Sequence, residues 1–188
     1  MADIDIGYGA DTLPGSGLPA AWTLIDCNNA ANDTGNLDTF YIHEPANCTG
    51  VKIGTFSGSG ATYTYRDHVL IGDVPGGSKQ EFGGLVCDVV TGDFVAFLNG
   101  TGDARSSTTG GAGIAYYSGD RFSAGTYADY TFVANYWMPI YGTGVTPGWQ
   151  GTIRVGSAEI ANPAAVRLGT QELTAVEISK IVVGKGEI

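Results

Sequence analysis

Two histidines, three cysteines and nineteen carboxylates are the side chains of this 188-residue sequence best suited to chemistry. Their spacing decides which chemistry they could do. Neither His43 nor His68 lies in a ligand-spaced motif such as HExxH, so the pattern gives no frame for a zinc-activated water. Cys27, Cys48 and Cys87 are odd in number and include no CxxC pair, which argues against a zinc cluster and against a dense disulfide framework. They read as thiols packed like small hydrophobes, with one Cys27–Cys48 bridge conceivable in an oxidising setting. No Gly-x-Ser-x-Gly falls between a strand and a helix, so a nucleophile elbow is unsupported. Gly110-Gly111-Ala112-Gly113 has no helix after it to cradle a phosphate. Glycoside hydrolysis needs two placed carboxylates. The acids here cluster at turns, and Glu44 and Glu81, the only glutamates before residue 146, both neighbour turn residues. The expectation is therefore no enzyme, no cofactor and no metal, with a small glycoside hydrolase as the remaining enzymatic alternative.

Aromatic residues are the more suggestive chemistry. Tyr116, Tyr117, Phe122, Tyr127, Tyr130, Phe132, Tyr136, Trp137, Tyr141 and Trp149 fall within 34 residues. Tyr and Trp pair a broad apolar face with a polar tip, which suits both sugar stacking and interfaces. Alternate members are expected to line the core. Tyr136 and Trp137 are adjacent, so on a strand one of them should point outward. Tyr136, Trp137, Trp149 and Tyr117 are the candidate glycan or interface contacts.

The elements that must position these residues are strands. Apolar and polar residues alternate in short runs bounded by turn residues. Such runs occupy residues 23–26, 37–43, 51–56, 61–67, 84–89, 94–98, 114–117, 126–132 and 138–141. In the second, Leu37, Thr39 and Tyr41 are set against Asp38, Phe40 and Ile42. No helical period spans ten residues before position 160. This spacing predicts an all-β fold, an antiparallel β-sandwich of jelly-roll-like type. Gly58-Ser59-Gly60 reads as a hairpin turn. Gly-Asp recurs at 72–73, 92–93, 102–103 and 119–120 as turn punctuation, the glycine taking positive φ and the aspartate bonding backbone just beyond it. The alternating Ala2–Ile6 could serve as a strand exchanged with a neighbour. The texture changes at Val145-Thr146-Pro147-Gly148-Trp149, so residues 1–145 are expected to form the sandwich and 146–188 a short β-rich extension or assembly arm. Within that arm Thr152–Val155 and Ile178–Val183 read as β-branched pieces, and Glu172–Lys180 as an alternative short helix.

Charge narrows the partners. Residues 1–145 carry 15 acidic and 5 basic side chains, and residues 146–188 carry 4 of each, giving the net −10. An acidic body repels phosphate backbones and anionic lipid surfaces, so neither nucleic acid nor a membrane is expected as partner. Charged residues make up only 15%, against roughly 25% in ordinary domains, while glycine numbers 30. No apolar run reaches the length of a membrane-spanning helix. The start, MADIDIGYGAD, lacks a basic, then apolar, secretory leader. The expectation is synthesis in a cytoplasm, with the exterior reached by assembly, lysis or a removed signal. Three glycosylation sequons, at Asn32, Asn47 and Asn99, are what chance supplies in so Asn- and Thr-rich a chain.

Ala2–Gly7, Gly50–Phe56, Tyr65-Arg66-Asp67, Gly77–Gln80 with Phe82, and Gly92–Val95 resemble a loose group of bacteriophage-like β-sandwich sequences. Ile178-Ser179-Lys180-Ile181 is similar to the Ile-x-Lys-Val-Asn-Gly pieces near the ends of phage structural proteins, with Val182-Val183-Gly184 departing from that ending. These are strand and turn signatures, and they transfer no active site. The resemblance implies a virion surface protein, a capsid decoration or tail/fibre component. Its expected partners are copies of itself, other virion proteins and, for a fibre, host surface glycans. A carbohydrate-binding or adhesin module is the alternative.

Overall fold

The computed structural model describes residues 3–146 and, beyond them, the backbone of four short strands. The body contains β1 (Asp3–Gly7), β2 (Ser16–Leu18), β3 (Trp22–Asp26), β4 (Gly35–His43), β5 (Cys48–Ser59) and β6 (Thr62–Val74). It continues with β7 (Lys79–Val89), β8 (Phe94–Leu98), β9 (Ala104–Ser118), β10 (Thr126–Tyr127), β11 (Thr131–Trp137) and β12 (Ile140–Val145). Two antiparallel sheets form a β-sandwich: a smaller one ordered β1-β12-β4-β7, and a larger one ordered β10-β6-β5-β8-β3-β9-β11, with β2 added on β9. No helix occurs among the described residues. By its contacts the chain divides into Ala2–Thr146 and a unit containing Pro147–Ile188. In the latter, β13 (Thr152–Val155) pairs with β14 (Ala158–Ala161), and β15 (Val166–Leu168) with β16 (Gln171–Leu173). The predicted strand at Thr152–Val155 is present. Glu172 and Leu173 are extended rather than helical, and the rest of the predicted helix, with Ile178–Val183, lies outside the described residues.

The core follows from which side of each strand is apolar. Ile4, Ile6, Leu37, Phe40, Ile42, Cys87, Val89 and Ile140 of the small sheet meet Leu24, Val51, Ile53, Val95, Phe97 and Ile114 of the large one, all essentially sealed from solvent. Burying each large aliphatic or aromatic side chain contributes about 1.5–3 kcal/mol. The alternation expected for β4 is broken once. Leu37, Phe40 and Ile42 all face the core, because Leu37 and Thr39 pair with the consecutive Gly144 and Thr143 of β12, leaving Asp38 as an extra residue between them. The bulge shifts the phase, so Leu37 faces the core with Phe40 and Ile42 while Thr39 and Tyr41, expected on its side, face outward. In β3 and β8 all but the first residue are buried, so alternation is lost there. Ile25, Ala96, Leu98, Ala115, Phe56 and Tyr63 form a second cluster, capped by Phe122 and Tyr130.

That capping explains another departure. Residues 126–132, expected to be one strand, are split into β10 and β11. At the break Tyr130 sits edge-on to Tyr63 at 5.2 Å, and its amide donates to the Ala61 carbonyl at 3.1 Å. Met138 and Pro139, expected to open a strand, precede β12 instead. Proline has no N–H to give a ladder, and the Met138 amide donates to the Asp26 carboxylate at 2.9 Å. The Gly-rich stretch 110–113 is extended within β9, and β1 pairs with β12 of its own chain from Asp3 to Gly7. The turn at Gly58–Gly60 joins β5 to β6 as expected.

Gly54 marks where strands approach most closely. A Cβ there would lie 2.2 Å from the Asp67 carbonyl oxygen and 2.7 Å from the His68 Cβ. Gly54→Ala should therefore push β6 off β5 and lower stability by about 1–3 kcal/mol. Thermal unfolding followed by circular dichroism reads this, and an unchanged midpoint would contradict the packing.

Candidate functional site

Four aromatic positions were candidates for glycan or interface contact, and the three that are described are engaged within the fold. Trp137 is only 9% exposed. Its indole stacks on Tyr8 at 4.5 Å and 17°, and its N–H donates to the Thr109 carbonyl at 3.1 Å. Tyr136 is half-buried against the main core. Neither neighbour stands free, because β11 shifts register on both sides of Asn135, whose φ is 70°. Tyr117 is half-buried under the Arg121 guanidinium, 3.7 Å from its ring centre; Arg121 also covers Tyr127 at 4.5 Å and pairs with Asp129 at 2.5 Å. Trp149 lies outside the described residues. Tyr136 and Tyr117 pack on different clusters, so the fold does not bring this set together.

A different aromatic group is brought together on the outward face of the small sheet. Cross-strand pairing puts Tyr41 opposite Tyr141, Thr39 opposite Thr143, and Thr143 opposite Asp5. The two tyrosine rings lie 6.1 Å apart and tilt by 33°. Beneath them β12 alternates Tyr141-Gly142-Thr143-Gly144. A Cβ on Gly142 would come within 2.9 Å of both Ile6 and Phe40, and one on Gly144 within 2.0 Å of the Asn36 carbonyl oxygen. The inward positions must stay bare for the sheet to lie flat on its core, and only the outward ones carry side chains.

Two adjoining depressions cross this face. One, of about 470 Å³, is lined by Tyr8, Asp11, Tyr41, Lys79, Tyr141 and Thr143. The other, of about 410 Å³, is lined by Asp3, Asp5, Asp38, Tyr141, Thr143 and Val145. They adjoin at Tyr141 and Thr143, which line both, and together they mark a groove across this face. Its wall is tied down by His43, whose Nδ1 meets the Ala10 carbonyl at 3.1 Å, and by the Lys79–Asp11 ion pair. Lys79 also lies 5.6 Å from the Tyr41 ring centre. The ion pair holds the Asp11 carboxyl below its ordinary pKa and Lys79 above its own. Burial, then Asp5 and Tyr41, push the Tyr141 phenol up, so it stays protonated and able to donate. At the other end Asn32 fastens β1, accepting from the Asp5 amide at 3.0 Å and donating to the Asp3 carbonyl at 3.1 Å. Sequence reasoning placed Tyr41 and Tyr141 on strands but could not pair them. The alternating Tyr-Gly-Thr-Gly of β12 was the available signal.

Buried ionisable groups lie elsewhere. Asp26 accepts from the Asn28 amide at 2.9 Å, from the Asn28 side chain, and from Met138. Burial pushes its carboxyl up to about 7 against those bonds. Glu44 is 1% exposed, and burial pushes it up to about 8, the backbone amide and charge of Arg105 pulling the other way. The Cys27–Cys48 bridge is not formed. All three thiols are free, the Cys27 sulfur lies 3.1 Å from the Tyr63 hydroxyl, and burial raises each above the ordinary thiol value. His68 bonds the Tyr65 hydroxyl at 2.8 Å. Among the described residues no three His, Cys, Asp or Glu side chains converge as a metal would need.

No family model matches this chain, and searches of curated proteins and of solved structures likewise find no match.

Proposed function

We propose that this chain is a structural protein of a virion surface, a capsid decoration or tail/fibre component, assembled in a host cytoplasm and acting without catalysis. A jelly-roll-like winding of the sandwich and an assembly role for residues 146–188 belong to the same proposal. The observation that carries it is the β7 side of the body. β7 ends the small sheet's strand order, so one of its long sides has no strand partner in that sheet. Val86 on β7 is 70% exposed, and Leu70, paired with Lys52 in the large sheet, is 68% exposed. An open edge bearing an exposed valine, with a second bare apolar side chain on the other sheet, is what neighbouring copies or other virion proteins would cover, and free monomers usually blunt such edges. Low charge and the resemblance of the strand signatures to phage sandwich proteins support the setting. Sedimentation velocity and electron micrographs of the full chain test it: an ordered oligomer is expected, and Val86→Asp with Leu70→Asp should dissociate it. A monodisperse monomer at all concentrations would overturn the reading. The groove on the small sheet favours a second reading, carbohydrate binding.

A further inference from the structure

We infer that the outward groove of the small sheet is a binding site for a neutral oligosaccharide, with Tyr41 and Tyr141 as its floor and Tyr8 as its rim. This deepens the carbohydrate-binding reading and is independent of assembly through β7. Three observations carry it. The floor is aromatic and preorganised. Tyr41 and Tyr141 are neighbours on paired strands, and Tyr8 is held by its stack on buried Trp137. Little side-chain freedom is left to lose when a sugar's C–H face settles on these rings. The walls are polar in the way hydroxyl-rich ligands require. Asp3, Asp5 and Asp38 offer carboxylate acceptors in one half of the groove, and Thr143 offers a hydroxyl at the junction. Carboxylates accept charge-assisted bonds from adjacent sugar hydroxyls, while the protonated Tyr141 can donate. Finally, shape and charge select the ligand. Two connected depressions suit several sugar units rather than one. Of the charged residues lining them, Asp3, Asp5, Asp11 and Asp38 are acidic and Lys79 alone is basic, its charge already matched by Asp11. Sialylated, sulfated and phosphorylated glycans would be repelled.

The test is a titration of the full chain with a panel of neutral gluco-, galacto- and manno-oligosaccharides beside sialylated and sulfated ones. Calorimetry or shifts of the tyrosine ring resonances supply the readout. At least one neutral oligosaccharide should bind. Tyr41→Ala and Tyr141→Ala should each weaken it about tenfold, as the loss of one stacked ring implies. Tyr141→Phe should keep most of the affinity, and Tyr117→Ala, remote from the groove, all of it. Binding that survives both alanine substitutions in folded protein, stronger binding of the anionic glycans, binding only of a cationic peptide, or no binding at all would each overturn the assignment. The Val86→Asp, Leu70→Asp variant separates the two readings: loss of oligomer with sugar binding intact defeats neither, whereas glycan silence in an intact oligomer defeats only this one.

Discussion

Asp26→Ala should lower unfolding free energy by about 3–5 kcal/mol, read from urea denaturation with an unchanged slope. Asp26 ends β3 at the centre of the large sheet and is fully buried. It satisfies the Met138 amide and two donors of Asn28. Asn28 in turn donates to the carbonyls of Gly113 and Tyr136, joining β9 to β11. Alanine would strand the two buried backbone donors of Asn28 and Met138 and take one of three acceptors from the Asn28 side chain, and each unmet donor costs about 1–3 kcal/mol, less when neighbours relax. A loss below about 1 kcal/mol would show that water replaces the carboxylate freely. The same site makes stability depend on pH. Burial raises the folded-state pKa of Asp26 to about 7 and of Glu44 to about 8, while the unfolded groups titrate near 3.8 and 4.5. Between those values the folded state holds protons that the unfolded state has released. This contribution is fully present below the unfolded pKa and is lost as pH rises through the folded one. Stability should therefore fall from pH 5 to pH 8, with a slope up to about 1.4 kcal/mol per pH unit for each group. Asp26→Asn should remove its share of the slope, leaving that of Glu44.

Arg66→Ala should destabilise by about 2–4 kcal/mol, and Asp93→Ala comparably, with the double variant losing clearly less than the sum. The Arg66 guanidinium grips Asp93 through Nε and through Nη2 at 2.9 Å, and the Asp93 side chain is 1% exposed while that of Arg66 is 31% exposed. Partial exposure of the arginine is why the lower part of the range is included. Asp93 also accepts from the Val90 amide at 2.8 Å, closing the turn in which Gly92 takes a φ of 90°. Removing the arginine leaves a carboxylate in an apolar setting. Removing the aspartate opens the β7–β8 turn and frees an arginine that can reach water. Additive losses in a denaturation cycle would show that the two side chains do not act together.

Gly92-Asp93 shows how far local signals reach. The glycine's positive φ and the aspartate's bond to backbone were legible from two residues. The bond runs back to Val90 rather than forward, and the grip on Arg66 of β6 joins residues 27 positions apart, which no local pattern encodes. In β4 the alternation was legible and its phase was not, because one residue bulged against β12, Asp38, puts Leu37 inward and Thr39 and Tyr41 outward. The aromatic crowding was legible too, but Trp137 went under Tyr8 and Tyr117 under Arg121.

From the sequence alone came the class of structure: alternating apolar residues and abundant turn residues point to an antiparallel sandwich, because each depends only on side chains a few positions apart. Tertiary structure decided which aromatics stay open to solvent and which acids lose it. Those outcomes depend on strand partners far apart in the chain, such as Tyr41 with Tyr141 and Asp26 with Met138, and on the bulge that sets each strand's facing. Cross-strand contact, unlike periodicity, is not written in neighbouring residues.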